Sequence, residues 1–306
     1  MNTLDKILEY NRHPELSDWF MQQLEELIAF GAYHNQTPDV ARKIISSLAK
    51  YKTLSGIENV VIGMSGGIDS ALTASLFKAA GYTVNGVTMP IKQKPEETDR
   101  GIEACNALGL VHHHIDLNKL HDRYCDTHAE YDLSLSNNPI RMGNVKARLR
   151  MITLYDLASR LKGFVASTDN FSELAAGFWT LHGDVGDVAP IQSLTKSWEV
   201  PAMAEYMGVP EATIKAVPTD GLGISNSDED QFGFSYLEFD IVLLKLLKGS
   251  INQVNLSEKD QHIINNVATR IKNTAHKRAN PQNIVHPIFQ DRYHELENID
   301  NTHLEM

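Results

Sequence analysis

Val60-Val61-Ile62-Gly63-Met64-Ser65-Gly66-Gly67-Ile68-Asp69-Ser70, running on into Ala71-Leu72-Thr73-Ala74-Ser75-Leu76, reads as a buried strand, a glycine turn and the start of a helix. Val60 to Ile62 form the short apolar, β-branched run of a strand covered on both faces of a parallel sheet. Gly66 and Gly67 let the backbone turn sharply and let an anion approach the amides with no Cβ in the way. The following helix presents unpaired N–H groups and the positive end of its dipole to that anion. Ser65 and Ser70 add hydroxyl donors, and Asp69 places a carboxylate where a Mg²⁺ ion accompanying phosphates is useful. Gly63, Met64, Ser65, Gly66, Gly67, Ile68, Asp69 and Ser70 together read as a phosphate cradle.

The cradle is not a Walker A loop, because the Gly-x-x-x-x-Gly-Lys-Ser/Thr spacing is missing and no lysine follows the glycines. Ser-Gly-Gly-Ile-Asp-Ser resembles instead the pyrophosphate loop of the N-type ATP pyrophosphatases, which cleave ATP to AMP and pyrophosphate. A tight strand-to-helix turn with a serine cap needs the same glycines. The strand before it, and the Asp-Ser and helix after it, set this one apart.

Outward from this stretch, strands and helices alternate. Asn59–Met64, Thr83–Met89, Val111–Leu117 and Gly163–Thr168 read as strands; Ile68–Ala80, Glu96–Leu108 and Val145–Leu161 read as helices. That order predicts an α/β fold, a parallel sheet flanked by helices with ligands at the carboxyl ends of its strands. Residues 1–53 read as a helical N-terminal extension. After Thr195 the pattern is helical again, over Thr195–Met207, Asp230–Leu247 and Ser257–His276, the last opening on the capping-box-like Ser257-Glu258-Lys259-Asp260. Tyr124–Arg141 and Pro218–Gly233 carry no period and read as long loops, either lids or plain surface connections.

Composition limits the classes. The chain has 306 residues and a formal net charge of −11, which argues against broad nucleic-acid binding. No run approaches a membrane span, and Met1 to Glu9 lack a signal-peptide pattern. Cys105 and Cys125 form neither a disulfide framework nor a metal motif, which fits a cytoplasmic protein. His112-His113-His114 lie on a strand, where side chains alternate faces, so all three cannot converge on one ion.

Three further motifs stand at chemically useful places. Gly143-Asn144-Val145-Lys146-Ala147-Arg148-Leu149-Arg150-Met151 opens the long helix with a basic patch, Lys146 and Arg150 on one face and Arg148 on another. Leu149, Ile152 and Leu157 are left to face the core. Such a patch is either a solvated helix start or an anion site, and an anion relieves positive charge at the positive helix end. Ser167-Thr168-Asp169-Asn170-Phe171-Ser172-Glu173 follows the fourth strand, and Glu173, Asp184 and Asp187 gather in a glycine-rich neighbourhood suited to a metal ligand or base.

The set SGGIDS, GNVKARLRM, STDNFSEL, TLHGD, KAVPTD and TAHKR, in this order over about residues 40 to 282, resembles the ammonia-dependent NAD⁺ synthetases. The resemblance implies a Rossmann-like fold of the adenine nucleotide alpha hydrolase kind. It implies one domain over 1–306, with residues 54–282 as pyrophosphatase core and substrate-binding helices and 283–306 as a tail. It implies that ATP adenylates the nicotinate carboxylate of deamido-NAD⁺, releasing pyrophosphate, and that ammonia displaces AMP. Gly63 to Ser70, Thr168, Lys196 and Thr219 are then ATP contacts, and Asp69 and Glu173 hold Mg²⁺. Arg148, Asp187, His276 and Lys277 fall to deamido-NAD⁺, and Asp184 and Lys196 to catalysis. A homodimer sharing the dinucleotide site is implied too.

The chain departs from the family on the substrate side. Thr180-Leu181-His182 stands where Thr-Lys-Tyr is usual, so Leu181 replaces a lysine that contacts the dinucleotide. Asp187 matches across a segment, Gly183 to Pro190, about one residue shorter than usual. No glutaminase-like setting surrounds Cys105, placed mid-helix, or Cys125, placed in a polar loop. Free ammonia, or ammonia from a separate glutaminase, is the expected nitrogen source. Two other readings stay open: a related pyrophosphatase ligase amidating or thiolating another acceptor, and a non-catalytic adenylate sensor.

Overall fold

A computed structural model describes residues 2–31, 37–131, 138–217, 229, 233–249, 251 and 256–278. Three helices lead in, α1 (Thr3–Tyr10), α2 (Asp18–Ala29) and α3 (Thr37–Ser55). The alternating part follows as β1 (Asn59–Gly63), α4 (Ile68–Ala79), β2 (Thr83–Thr88), α5 (Pro95–Ala107), β3 (Val111–His114), α6 (Asn118–Ala129), α7 (Pro139–Leu161) and β4 (Gly163–Val165). Helices complete the described chain: α8 (Phe171–Ala176), α9 (Glu199–Tyr206), α10 (Glu211–Ile214), α11 (Tyr236–Leu247), α12 (Glu258–Asn273) and α13 (Ala275–Arg278).

The four strands are parallel in the order β3-β2-β1-β4. Val60 of β1 lies between Val84 of β2 and Phe164 of β4. A central strand covered on both faces needs apolar residues throughout, and Val60, Val61 and Ile62 are fully buried. From β1 the chain winds outward to β2 and β3, then crosses back to place β4 on the other side of β1. The reversal opens a crevice at the carboxyl ends of β1 and β4. Both loops that carry candidate site residues leave the sheet there.

One face of the sheet is covered by α3, α4 and α9, with Phe77, Tyr82 and Phe164 meeting ring to ring at centroid distances of 5.3 to 5.6 Å. The other face is covered by α7, through Leu149, Leu154 and Ala158 against Val61, Val87 and Val165. A third cluster joins α1 and α2 to α11 and α12 around Phe20, Leu24, Trp198 and Phe239. Each such side chain contributes about 1.5–3 kcal/mol on burial, so the sheet ends are framed by rigid packing.

The structure corrects the expected α6–α7 region. Tyr124–Arg141 is not one long loop: α6 runs to Ala129, and α7 begins at Pro139 with the Asn138 side chain accepting from Arg141 N at 3.0 Å. The helix expected over Val145–Leu161 is present and starts six residues earlier; the parts missed lack a strong apolar signal, since α6 buries only His121 fully and Ile140 at the start of α7 is exposed. The basic patch therefore lies inside α7 rather than at its positive end. Lys146 is buried there, and Ile152, expected in the core, is 66% exposed. Of Pro218–Gly233 only Glu229 and Gly233 are described, so the expected loop and the Asp230 helix start lie outside the described residues; α11 begins at Tyr236 on a Ser235–Glu238 capping box. The Ser257–Asp260 capping box is present at α12.

Candidate active site

The loop leaving β1 is shaped by close packing against α5. Gly66 has φ of +84°, and a Cβ there would lie 2.4 Å from Glu97 O, so only glycine fits. Gly67 caps α4 without a side-chain hydrogen bond, which leaves the leading amides of that helix for a ligand. The serine hydroxyls brace the turn instead. Ser65 Oγ accepts from Gly67 N at 3.2 Å and lies 3.3 Å from Ser70 Oγ, which donates to Gly67 O at 3.0 Å. The loop opens on a cleft of about 540 Å³ at the β1/β4 switch point.

The second wall comes from β4. Asn170 and Glu173 form a capping box at the start of α8: Asn170 Oδ1 accepts from Glu173 N at 3.0 Å, and Glu173 Oε2 accepts from Asn170 N at 3.3 Å. Asn170 also donates through Nδ2 to Asp69 Oδ1 at 3.1 Å, which ties the two walls together. Into this corner reaches Lys196, whose Nζ pairs with Asp69 Oδ2 and, at 3.3 Å, with Glu173 Oε1. The three side chains are 9%, 15% and 16% exposed, so the charges act on one another with little screening.

Lys196 and α8 are held from behind by Asp240, a fully buried acid on α11. Asp240 accepts from the hydroxyls of Ser172 and Ser197 and from Ser197 N at 3.0 Å, while Lys196 N donates to Ser172 Oγ at 2.9 Å. Burial pushes the Asp240 carboxyl up to about 6 despite these donors. Sequence reading missed Asp240, although an acid set inside Phe-Asp-Ile-Val-Leu-Leu was a usable signal. It missed the Asn170 link as well, which only the fold brings together.

Because one ammonium nitrogen touches both carboxylates, a single cation at that point meets an oxygen of Asp69 and an oxygen of Glu173. Two carboxylates facing a phosphate loop make the hard oxygen set that Mg²⁺ takes beside a nucleotide. The residues fit the ion.

The same cleft is lined by Asp184, which accepts from Thr180 N at 3.0 and 3.2 Å. The side chain is exposed on the cleft wall. Desolvation by the protein around that wall pushes its carboxyl up to about 7; nearby Asp169 adds to the shift, and the Thr180 amide, Lys277 and Arg148 oppose it. Lys277 lines the same cleft, donating to Gly177 O at 2.7 Å and to Trp179 O, with Nζ 5.5 Å from the centre of the Trp179 ring. Burial draws its ammonium below the usual lysine range. The cleft therefore joins a phosphate cradle, a two-carboxylate corner and a near-neutral acid.

The NAD synthase family profile matches residues 40–281. The chain belongs to this family. It is 34% identical over 247 residues to the NH(3)-dependent NAD(+) synthetase of Alkaliphilus oremlandii, covering 78% of this chain and 94% of that one. Among solved structures, it resembles NMN synthetase from Francisella tularensis at a TM-score of 0.70 and 28% identity, over 82% of this chain and 98% of that one. It also resembles the NH3-dependent NAD synthetase from Campylobacter jejuni at 0.66 and 28%, over 81% and 99%.

In this NAD synthase chain the residues expected at the site divide into two groups. Gly63 to Ser70, Thr168, Glu173, Asp184, Lys196 and Lys277 all line the one cleft. Arg148, Asp187 and His276 lie outside its lining. Arg148 is on the outer face of α7, its Nε donating to Leu181 O at 3.3 Å. Asp187 accepts from Tyr155 Oη at 2.7 Å and from Val165 N at 2.9 Å, and His276 is exposed on α13. Thr219 lies outside the described residues. The histidine triplet obeys strand alternation: His112 Nε2 and His114 Nδ1 both bond Thr88 Oγ1, at 3.0 and 2.9 Å, while His113 turns to Asn85. Burial pushes the Cys105 thiol up to about 11, and Cys125, expected in a loop, sits on α6 with its thiol raised too. Neither is set up as a thiolate nucleophile.

Proposed function

We propose that the protein makes NAD⁺ from deamido-NAD⁺, ATP and ammonia. The observation that carries the reading is the β1/β4 cleft, where the Gly63–Ser70 cradle, the Asp69–Glu173–Lys196 corner and Asp184 open on one space. A carboxylate is a poor acyl electrophile. Attack of the nicotinate oxygen on the α-phosphorus, with the electron pair of the breaking bond leaving on pyrophosphate, gives it AMP as a leaving group. The loop amides and the Ile68–Ser70 helix start hold the phosphates, and Thr168 lines the nucleotide wall. Mg²⁺, held by Asp69 and Glu173, offsets phosphate charge when bound. Lys196 then has its phosphate partner within reach of the corner it now occupies.

Asp184 is assigned to the second half-reaction. Ammonia reaches a protein mainly as ammonium, and a carboxylate with a pKa near 7 takes a proton from it better than an ordinary aspartate. Ammonia then attacks the adenylated carbonyl, and AMP leaves. Lys277 supplies positive charge to the dinucleotide side where Leu181 cannot. Arg148, Asp187 and His276 are assigned to a dinucleotide site completed by a second copy. The exposed stripe Arg148, Ile152 and Tyr155 on α7, at helical spacing, supports that homodimer. Among the described residues no helix is long and apolar enough to cross a membrane, and two free thiols suit a reducing cytoplasm.

The test is a paired assay of pyrophosphate and NAD⁺ with ATP, Mg²⁺, ammonium and deamido-NAD⁺, each omitted in turn. Nicotinate mononucleotide serves as the competing acceptor, since one structural relative is named an NMN synthetase. NAD⁺ formed one-for-one with pyrophosphate, only in the complete mixture, supports the reading. Pyrophosphate without NAD⁺, or turnover with the mononucleotide alone, overturns it.

A further inference from the structure

The phosphate loop touches a second element whose chemistry the proposed steps leave unused. α5 packs so tightly on it that a Cβ on Gly101 would lie 2.6 Å from Met64 O, and a Cβ on Gly66 would lie 3.1 Å from Arg100 Cβ. Arg100 is thereby set beside Gly66 and lines the cleft. Its Nε is buried and has no hydrogen-bond partner, a costly state for a guanidinium N–H unless a ligand meets it. The neighbouring cations differ in this respect. Lys196 holds Asp69 and Glu173, Lys277 holds Gly177 O and Trp179 O, and Arg150 donates to Met89 O at 3.2 Å and to Gln93 Oε1 at 2.7 Å. Arg270 donates to Ala176 O at 3.0 Å.

Resting on the reading of this cleft as an ATP site, we infer that Arg100 is a second phosphate clamp, binding the pyrophosphate end of ATP from the β2 side of the loop. Lys196 approaches from the β4 side, so the two cations flank the cradle that β1 feeds. A guanidinium fork suits adjacent phosphate oxygens. With Mg²⁺ on the two carboxylates, Lys196 is released to the phosphates, and Arg100 adds a second side-chain cation for a triphosphate. In the adenylation step, negative charge grows on the departing pyrophosphate, where Arg100 stands, and not on the AMP half. The residue thus binds ground state and leaving group at the same atoms.

Arg100→Gln and Arg100→Lys, made in the full chain, test this by initial rates against ATP and deamido-NAD⁺, by product inhibition with pyrophosphate, and by AMP binding. Arg100→Gln is expected to raise the KM for ATP and the inhibition constant of pyrophosphate by about 10- to 100-fold, with AMP affinity and the KM for deamido-NAD⁺ moving by about twofold or less. Arg100→Lys is expected to recover part of the loss, and it carries the test alone should Arg100→Gln fail to melt cooperatively. Unchanged pyrophosphate inhibition in a folded variant overturns the inference, as does an equal loss of AMP and pyrophosphate affinity. Failure of the unmodified protein to release pyrophosphate from ATP would instead sink the functional reading itself.

Discussion

Lys196 stands where three separate segments of chain meet, and its removal strands two carboxylates in a poorly solvated corner. Breaking a buried pair in this way destabilises by about 3–5 kcal/mol, so Lys196→Ala is expected to lower the melting temperature. Mg²⁺ should recover part of that loss by taking the vacant position, while pyrophosphate release stays abolished; calorimetric melts with and without Mg²⁺ check both. Asp184 makes a prediction about pH. Its folded pKa, about 7 against the ordinary 3.8, means the carboxylate that accepts a proton is formed only as pH rises through about 7. The rate with saturating ammonium should therefore climb across that pH, and Asp184→Asn should remove the limb along with most of the rate. The stability sign is the opposite: a raised folded pKa favours folding below about 4 and loses that contribution as pH rises to about 7. Gly66→Ala meets Glu97 O at 2.4 Å with φ at +84°, and loss of ATP binding without loss of the fold, read by titration, is the expected outcome.

At the scale of elements, α8 and α11 act as one fitting. Asp240 joins the Ser172 turn of α8 to the Lys196–Ser197 segment, so it positions Lys196 and Glu173 without touching substrate. Asp240→Asn keeps an acceptor for Ser197 N and should preserve much of the activity, whereas Asp240→Ala should lower kcat more than it raises the KM for deamido-NAD⁺. Because the Asp240 carboxyl is raised from 3.8 to about 6, its share of stability is complete below about 4 and lost as pH rises through about 6. Denaturation midpoints for Asp240→Asn should accordingly be flatter across that window. This fitting was not legible in advance, because it depends on which side chains the helices bring together. What strand and turn chemistry dictate locally was legible: Val60 to Ile62 as a central strand, Gly66-Gly67 as the cradle, Ser257–Asp260 as a helix start. Where local signals are weak, reading failed. α6 is polar along most of its length and does not announce itself by periodicity, while α7 is legible from Val145 to Leu161 and only its opening, with an exposed Ile140 and with Gly143, was missed. Lys146 went into the core and Ile152 to the surface for the same reason: a helix packed on a sheet by one stripe leaves the sorting of its other positions to tertiary context.

At the scale of the whole molecule, the sheet order decides where chemistry happens, since the reversal between β1 and β4 is what lets Asp69 and Glu173, 104 positions apart in sequence, face one cation. The outer stripe of α7 carries Ile152, which is 66% exposed, one turn from Arg148. Ile152→Glu is expected to convert a dimer to a monomer in sedimentation experiments and to raise the KM for deamido-NAD⁺ while leaving that for ATP unchanged. An unaltered dimer, or an equal change for both substrates, would remove α7 from the interface. The ammonium of Lys196 in the cation's seat has a final consequence, one of sequence in time. A bare divalent ion arriving alone must displace the Lys196 ammonium from both carboxylates. A nucleotide arriving with its ion offers that charge a phosphate and frees the seat in the same move. On the proposed reading, metal and nucleotide are therefore expected to enter as a pair, with Lys196 holding the corner until they do.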